Sequence, residues 1–528
     1  MHSPNLARLA TTCAAPVDPC RSPNFAIRAG LALLTALSIP AIAEADYGFD
    51  SGFNSNYVID AFATGDNDGA YRSGNKLVVL PDGDIVVAGG MRFPNDPLDT
   101  AFTNVGLSRY NLEGIRQTWA GSGGSHFWFN QQYVVYPNIA NGGNGDVRIQ
   151  YVADIAYADG KIYVLAERSY EFAPFDADVK VLVFNEDGTL RDEVVVLGSA
   201  AQEFGVAFDV RETGLAAEPV AVTVLARSEL AAFTIAKYNE ASSGFLAADL
   251  SFNGGSPLSI TVPSCSSQPV CDVSPADIAR PDRQFGLDEE PIYVLGTAFG
   301  NGTDRDMIVM RITASGVVDT SFGDAGRRIV AFDEPGSRIA DWAQALRVST
   351  SDAQSGSNDE IWMAGTVDRS CKPGIGIAKL TSSGANDISF AFNGRAVFGG
   401  STETGTVCDL DAELQATDMA LQGGEIAVSG KTTAPDQGGT LRTDGVLLRV
   451  GTVGAAQRDL VGLPLIQNGS RVGDSSIYGI ASAGNSRYVV SGFASWAGVY
   501  NSLYISARLW PADRIFADNF ESGTGLPR

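Results

Sequence analysis

The stretch that decides the fold is Ile292–Gly326, IYVLGTAFGNGTDRDMIVMRITASGVVDTSFGDAG. It opens with an apolar run that ends in a small residue, Ile292–Gly296, and a variable loop then leads to a second apolar run that ends at Arg311 and Ile312. A Gly-containing turn and the tetrapeptide Asp319–Phe322 follow. Short apolar runs separated by such turns are typical of antiparallel strands.

The same unit recurs along the whole chain. Its first apolar run appears seven times, with its closing small residues roughly 60–77 positions apart: Ile85–Gly89, Ile162–Ala166, Val222–Ala226, Ile292–Gly296, Ile361–Gly365, Ile426–Gly430 and Tyr488–Gly492. This spacing is too long for solenoid repeats and matches four-stranded blades joined by variable loops.

Two further positions recur within the unit. A basic residue precedes an apolar or aromatic one at Arg109, Lys237, Arg311, Lys379, Arg449 and Arg508. Its recurrence favours a structural role, and we predict an outward-facing strand position paired with carboxylates. The pattern Asp-x-Ser-Phe begins at Asp249, Asp319 and Asp387. We expect its phenylalanine to pack between neighbouring blades.

These motifs resemble the bacterial delta-60 repeat family. The resemblance is carried by Met307–Gly326, MIVMRITASGVVDTSFGDAG, and by Leu80–Gly89, LPDGDIVVAG, and it covers roughly residues 48–510. It implies a β-propeller-like ring and implies no catalytic residues.

We therefore predict an all-β fold, a single seven-bladed β-propeller of four-stranded antiparallel blades. The seventh unit stops after its third strand, whereas Asp50–Phe62 has the spacing of the missing fourth strand. We expect this N-terminal strand to complete the last blade and close the ring, which removes exposed sheet edges. Six or eight blades stay open as alternatives, because degenerate units are easily missed.

The predicted organisation has three parts: a signal peptide over 1–45, the propeller over 46–512 and a tail over 513–528. The repeats lie near 70–120, 150–197, 203–255, 276–332, 340–396, 413–460 and 475–512, plus 48–63.

Several features predict export. Arginines precede the apolar run 29–39, and small residues suited to signal peptidase follow it. The tail segment 514–521 is similar to a C-terminal signature of exported Gram-negative proteins. We expect a secreted, periplasmic or cell-surface bacterial protein. Its four later cysteines then predict disulfides Cys265–Cys271 and Cys371–Cys408.

Charge and hydropathy exclude some partners. The net charge is −24, and so acidic a surface repels phosphate backbones, which argues against nucleic-acid binding. No stretch after the leader reaches the roughly 20 apolar residues of a membrane span. We expect a monomer.

Nearly all of the long loops fall at one end of the predicted blades, the end that we take as the functional face. Aromatic clusters in these loops suit contact with an extracellular glycan or protein, although burial between blades is the favoured interpretation of aromatics. The candidate binding residues are His126, Trp128, Arg168, Tyr170, Phe172, Phe175, Trp496 and Tyr500.

Alternating acids suggest calcium, which takes oxygen ligands. The candidates are Asp66, Asp68, Asp304 and Asp306. Turn capping is the favoured interpretation, and we expect no cofactor.

The sequence leaves three functions open. The favoured one is a secreted non-catalytic binding or scaffold module. The alternatives are a carboxylate-type carbohydrate-active enzyme with its site at the channel mouth, and a structural cell-surface or adhesion module. After the leader only His126 could serve a catalytic triad, and GxSxG, P-loop and HExxH motifs are absent from the sequence, so we lean against an enzyme.

Overall fold

The computed structural model describes 24 segments of the chain, all of them within the unit Tyr47–Arg528. They are 58–60, 72–91, 104–111, 113–120, 133–136, 147–170, 177–198, 203–228, 231–241, 243–260, 273–281, 290–299, 304–333, 340–350, 359–369, 372–399, 413–435, 441–453, 457–463, 466–467, 470–471, 473–484, 487–496 and 499–509.

Strands account for nearly all regular structure in these segments. Their bounds are β1 Val58–Asp60, β2 Arg72–Val79, β3 Ile85–Met91, β4 Asn104–Tyr110, β5 Tyr133–Tyr136, β6 Val147–Ala158, β7 Lys161–Tyr170, β8 Ala177–Asn185, β9 Leu190–Leu197, β10 Glu203–Leu215, β11 Glu218–Ser228, β12 Ala231–Glu240, β13 Leu246–Ala248, β14 Leu258–Ile260, β15 Val273–Ala279, β16 Ile292–Phe299, β17 Arg305–Ile312, β18 Arg327–Val330, β19 Asp341–Thr350, β20 Asp359–Val367, β21 Gly374–Thr381, β22 Arg395–Phe398, β23 Glu413–Gln422, β24 Glu425–Pro435, β25 Leu441–Gly451, β26 Gln457–Leu463, β27 Ile466–Gln467, β28 Ser470–Arg471, β29 Gly473–Ser482, β30 Tyr488–Trp496 and β31 Val499–Leu509.

Within the described segments the strands form antiparallel sheets in chain order. We number these sheets one to seven: β2–β5, β6–β9, β10–β14, β15–β18, β19–β22, β23–β26, and β29–β31 with β1. The third has five strands and the others four, and β27 and β28 form a separate hairpin. The predicted all-β, propeller-type architecture is confirmed. None of the helices described is long and apolar enough to cross a membrane.

Neighbouring sheets share their cores. The second and third strands of a sheet are buried on both faces, as in β16, because another sheet covers each face. One core, for example, joins Leu295 of the fourth sheet to Leu346 and Ile361 of the fifth. The sheets therefore stand face to face, which explains why these strands are apolar without alternation.

The first strand of each sheet contacts the first strand of the next, from β2 through β6, β10, β15, β19 and β23 to β29. Strand β29 also contacts β2. Strand β1 pairs antiparallel with β31, with Val58 opposite Ser506. The first described strand thus adds to the last sheet, the position that the sequence analysis expected for it.

The five recurrent basic residues whose side chains are described are paired with carboxylates, as predicted, and the side chain of Arg508 lies outside the described part of the structure. Lys237, Arg311 and Lys379 lie 2.8 Å from the Asp that opens the Asp-x-Ser-Phe segment of their own unit. The expected outward orientation is wrong, since Lys237 and Lys379 are only 7% and 4% exposed. The turn of the next sheet covers this position, and Arg311 donates to the carbonyl of Ser382 there.

The phenylalanine of Asp-x-Ser-Phe packs between sheets, as predicted. Phe322 is fully buried, and its ring meets Tyr293 edge-on at 5.8 Å. Gly384, in a turn of the fifth sheet, has φ +81°, and a Cβ there would lie 3.1 Å from the Phe322 ring. Glycine suits this turn both for its backbone angle and for the close approach of the ring.

Candidate ligand-binding cavity

The first strand of each sheet, which contacts the first strands of its neighbours and which we call the innermost strand, carries a β-bulge at the same place. The register shifts fall between Gly74 and Lys76, Val152 and Asp154, Gly205 and Ala207, Pro275 and Asp277, Ala343 and Ala345, Ala416 and Asp418, and Ile477 and Gly479. A bulge inserts one unpaired residue and re-aims the side chains around it. The repeated bulges therefore set which side chains converge on the middle of the molecule.

Three of these strands, in alternate sheets, place an aspartate directly after the bulge. The Oδ1 of each accepts the N–H of the following residue at 2.8–2.9 Å, in Asp154, Asp277 and Asp418 alike. The Oδ2 of each accepts an N–H from the next sheet: Phe208 at 3.3 Å, Leu346 at 2.7 Å and Ile480 at 3.4 Å. Each aspartate therefore joins two neighbouring sheets.

Two basic side chains form ion pairs with these aspartates. Arg347 of the fifth sheet donates to Asp277 at 2.9 Å and to Asp418 at 2.8 Å, so it spans the fourth and sixth sheets. Lys76 of the first sheet lies 3.0 Å from Asp418. We call Lys76, Asp154, Asp277, Arg347 and Asp418 the central cluster.

The carboxyl groups of the cluster differ in pKa. Burial, with the charges of Asp277 and Asp418, raises the pKa of Asp154 to about 7 against the opposing effect of Lys76. Burial also raises the pKa of Asp277. Burial acts the same way on Asp418, but the nearby Lys76 and Arg347 outweigh it and leave that pKa below its ordinary value. A carboxyl group that titrates near neutrality is a common feature of functional sites, although structural ion pairs produce it too.

The cluster lies at one end of a cavity of about 750 Å³. The walls run along the innermost strands towards the short turns, as at Gln422–Gly424. Lys76 and Arg347 keep 26% and 34% of their side-chain surface exposed, and both line the cavity. The volume is within the usual range for small-molecule sites.

A second ion-paired group lines the wall further along. Asp209 lies 2.9 Å from Arg211 and 2.8 Å from Arg280. Burial disfavours the Asp209 carboxylate, but the two guanidinium groups outweigh that effect and lower its pKa to about 2. The wall is therefore charged along much of its length.

The predicted loop face is only partly described. His126, Trp128, Phe172 and Phe175 lie outside the described residues. Arg168, Tyr170, Trp496 and Tyr500 were expected in loops, but their backbone lies in strands. Arg168, Tyr170 and Trp496 pair with neighbouring strands in β7 and β30, and Tyr500 lies within β31. Trp119, from the same aromatic segment, is 4% exposed and packs in the core. Aromatic burial, the favoured interpretation, holds for that residue.

Of the four predicted calcium ligands, two lie within the described residues and two do not. Asp66 and Asp68, and the cysteines of both proposed disulfides, lie outside the described residues. Asp304 and Asp306 lie beside Asp333, with one carboxylate oxygen of each within 4.8 Å of the others. Burial and the charges of Asp304 and Asp333 raise the pKa of Asp306 to about 6.

The central cluster was missed in the sequence, although a signal for it exists. The tripeptide Asp-Ile-Ala occurs at Asp154 and Asp277, and Asp-Met-Ala occurs at Asp418. All three lie in the first strand of their sheets, directly after its bulge. The repeat is recognisable in the sequence by its second strand, whereas this motif lies in the first strand.

Comparisons with known proteins agree with the fold. A family model described as "Domain of unknown function (DUF5122) beta-propeller" matches residues 292–322. The structure and this match together define the class of the protein, a β-propeller. No curated protein matches the chain.

Several solved structures are similar at low identity. Polysaccharide lyase Uly1 is 9% identical with a TM-score of 0.40, covering 88% of this chain and 95% of its own. An ulvan lyase of family PL25 is 11% identical with a TM-score of 0.42, covering 86% and 99%. Two structures of the α-L-arabinofuranosidase Arb93A from Fusarium graminearum are 9% identical with TM-scores of 0.37 and 0.34, and each covers 74% of this chain and 96% of its own. These scores are below 0.5, so the likenesses do not bear on function.

Proposed function

We propose that this protein is a non-catalytic binding module, a closed seven-bladed ring whose central cavity takes a small polar ligand. Seven successive sheets, the contact of β29 with β2 and the pairing of β1 with β31 support the ring. The observation that carries the binding role is the polar cavity of about 750 Å³. The aspartates of the central cluster line this cavity, and their oxygens accept hydrogen bonds from backbone N–H groups.

The hydrogen bonds argue for binding over catalysis. Both oxygens of Asp154, Asp277 and Asp418 accept backbone N–H groups, which fixes the carboxyl groups as parts of the framework. A general acid or base needs an oxygen that can reach the substrate. These aspartates shape the cavity and its charge, and a ligand meets the exposed surfaces of Lys76 and Arg347.

The lining indicates how a ligand is recognised. Phe208 and Trp362 are the aromatic residues among the described lining, and they are 6% and 1% exposed. They therefore offer no open face for a sugar ring to stack on. Gln344, Ser349 and Thr350 add hydrogen-bonding groups. The ligand is accordingly a hydroxyl- or carboxylate-bearing molecule, or the end of a glycan chain, held by hydrogen bonds.

Binding is tested with a glycan and peptide array and with calorimetry on soluble mono- and oligosaccharides, including sugar acids. Two variants separate the cavity from the loop face. Gln344→Trp fills the cavity, because Gln344 is the unpaired bulge residue of β19 and lines it. The double variant Trp128→Ala with Tyr170→Ala tests the binding face that the sequence analysis predicted.

Loss of binding in Gln344→Trp with retention in the double variant supports the cavity. The reverse pattern places the ligand on the loop face and overturns the cavity assignment. Binding that survives in both variants, or no binding to any probe, also counts against it.

An enzyme is the second candidate, and the pKa of about 7 at Asp154 favours it. A carboxyl group with this pKa is suited to proton transfer at neutral pH. The test is release of reducing ends or unsaturated products from a panel of polysaccharides. Activity that Asp154→Asn abolishes, without loss of the fold, would replace the binding proposal.

We also propose export, because the sequence of residues 1–45 has the pattern of a signal peptide. Cell fractionation that finds the protein only in the cytoplasm refutes export, and exclusive retention at the cell surface favours the adhesion alternative. A free-thiol count on the exported protein tests the disulfides Cys265–Cys271 and Cys371–Cys408, for which no free thiols are expected.

A further inference from the structure

We propose that the ligand of the central cavity carries a carboxylate group, which Lys76 and Arg347 bind. This inference rests on the function proposed above and narrows it, because a neutral hydroxyl-bearing molecule is then no longer an equal alternative. It follows from the arrangement of the ion pairs in the cavity wall, which expose their basic members to the cavity more than their acidic ones.

In the central cluster the basic side chains are more exposed than the carboxylates that pair with them. Lys76 and Arg347 keep 26% and 34% of their side-chain surface exposed, whereas Asp418 and Asp277 keep 7% and 12%. All four residues line the cavity. A molecule in the cavity therefore contacts the two basic side chains over a larger surface than the two carboxylates.

Within the described residues, the hydrogen bonds of these two basic side chains leave donors unused. The Lys76 ammonium donates only to Asp418, so two of its three N–H groups have no acceptor. Arg347 donates to Asp277, Asp418 and the carbonyl of Leu346, which uses three of its five N–H groups. Ionised carboxylates are acceptors only and form strong hydrogen bonds with charged donors. A carboxylate therefore suits the unused donors better than a hydroxyl group, which must also donate.

The second ion-paired group of the wall has the same arrangement. Arg211 keeps 23% of its side-chain surface exposed, and its partner Asp209 keeps 10%. Glu360 is an exception with 38% exposed, but Lys379 lies 2.6 Å from it. Basic groups are thus the more exposed members of the ion pairs at two places along the wall.

Asp154 couples this binding to pH. It is half-buried and, among the described residues, has no basic group within ion-pair distance, while Lys76, Asp277 and Asp418 act on it from further away. With a pKa of about 7 it is partly protonated at neutral pH, so it repels an anion less than an ionised carboxylate does. An anion beside Lys76 raises this pKa further, so binding takes up a proton. Affinity for the anion should therefore increase as the pH falls through 7.

Calorimetric titration compares two pairs of compounds that match in shape and differ in charge, glucuronate with glucuronamide and lactate with lactamide. We expect at least one carboxylate to bind at least about tenfold more tightly than its amide. The same carboxylate should bind more tightly at pH 6 than at pH 8. Both carboxylates stay ionised at these pH values, so the change in affinity reports on the protein.

Three variants locate the carboxylate. Lys76→Gln should weaken carboxylate binding about tenfold and leave amide binding within about twofold. Lys431→Gln is the matched control, because Lys431 is also half-buried but lies outside the described cavity lining. Gln344→Glu keeps the shape of the side chain and adds a negative charge to the wall, so it should weaken carboxylate binding at least about threefold. This variant removes no ion pair and keeps the test valid if Lys76→Gln fails to fold.

The outcomes separate this inference from the function on which it rests. If a neutral compound binds as tightly as the carboxylates and Gln344→Trp abolishes its binding, the carboxylate assignment is overturned and the cavity stays the binding site. Unchanged carboxylate affinity in both Lys76→Gln and Gln344→Glu also overturns the assignment. If neither these four compounds nor the wider saccharide panel bind, the assignment and the function proposed for the cavity are both contradicted.

Discussion

The Oδ2 of Asp277 accepts the backbone N–H of Leu346 at 2.7 Å, and this bond joins the innermost strands of two neighbouring sheets. The same carboxylate also accepts the N–H of Ile278, the next residue, and a hydrogen bond from the guanidinium of Arg347. One side chain thus connects the local bulge, the neighbouring sheet and the central cluster.

Asp277→Ala should lower the free energy of unfolding by about 3–5 kcal/mol. The change leaves two backbone N–H groups without their acceptor and removes one of the acceptors of the Arg347 guanidinium, which keeps Asp418. Asp277→Asn should cost less, because its amide oxygen still accepts one bond. Urea denaturation measures both, and the exposed control Asp324→Asn should stay within about 0.5 kcal/mol of the wild type. Equal stability of Asp277→Ala and the control would show that the connection is dispensable.

Arg347→Met should destabilise the protein more at pH 8 than at pH 5. Without the guanidinium, Asp277 and Asp418 lose a shared counter-charge, and their pKa values rise. Protonation of these two carboxylates at lower pH then restores part of the lost stability. Because the side chain is 34% exposed, we expect a loss of only about 1–3 kcal/mol at pH 8. Denaturation at the two pH values checks this, and a loss that does not depend on pH contradicts it.

Asp154 should make the protein less stable as pH rises from about 4 to about 7. Its pKa is about 7 in the folded protein against an ordinary 3.8, so the folded state holds a proton that the unfolded state has released. Lys76, Asp277 and Asp418 are the charged groups that act on it. Asp154→Asn should remove this contribution, and denaturation at steps of pH compares the two slopes. Identical slopes would show that Asp154 titrates normally.

Phe322→Ala should cost about 3–5 kcal/mol, because the fully buried ring fills the space between the fourth and fifth sheets. Val317→Ala, in the preceding turn, is the control, since Val317 is 60% exposed and should change stability by less than about 0.5 kcal/mol. Thermal and urea unfolding measure both variants. A small loss of stability in Phe322→Ala would mean that the neighbouring side chains repack to fill the space left by the ring.

Sequence patterns identified the sheets because a strand is a local structure. The apolar runs, such as Ile292–Gly296, and the turns after them are set by neighbouring residues, so each unit could be recognised by itself. The spacing of the N-terminal segment likewise indicated a strand that pairs with the last unit, and β1 does pair with β31. The pairing of Lys237 and Arg311 with carboxylates also followed from recurrence, but their burial did not, since it depends on the next sheet.

By itself, the sequence determined the repeat, its β-strands and the acidic character of the chain, because those are properties of residues close together along the polypeptide. Only the tertiary structure decided which residues meet in the middle. Lys76 and Asp418 are 342 positions apart and lie 3.0 Å from each other. Their contact exists because repeated bulges turn side chains of separate sheets towards a common centre, and no local pattern records the distance between two sheets.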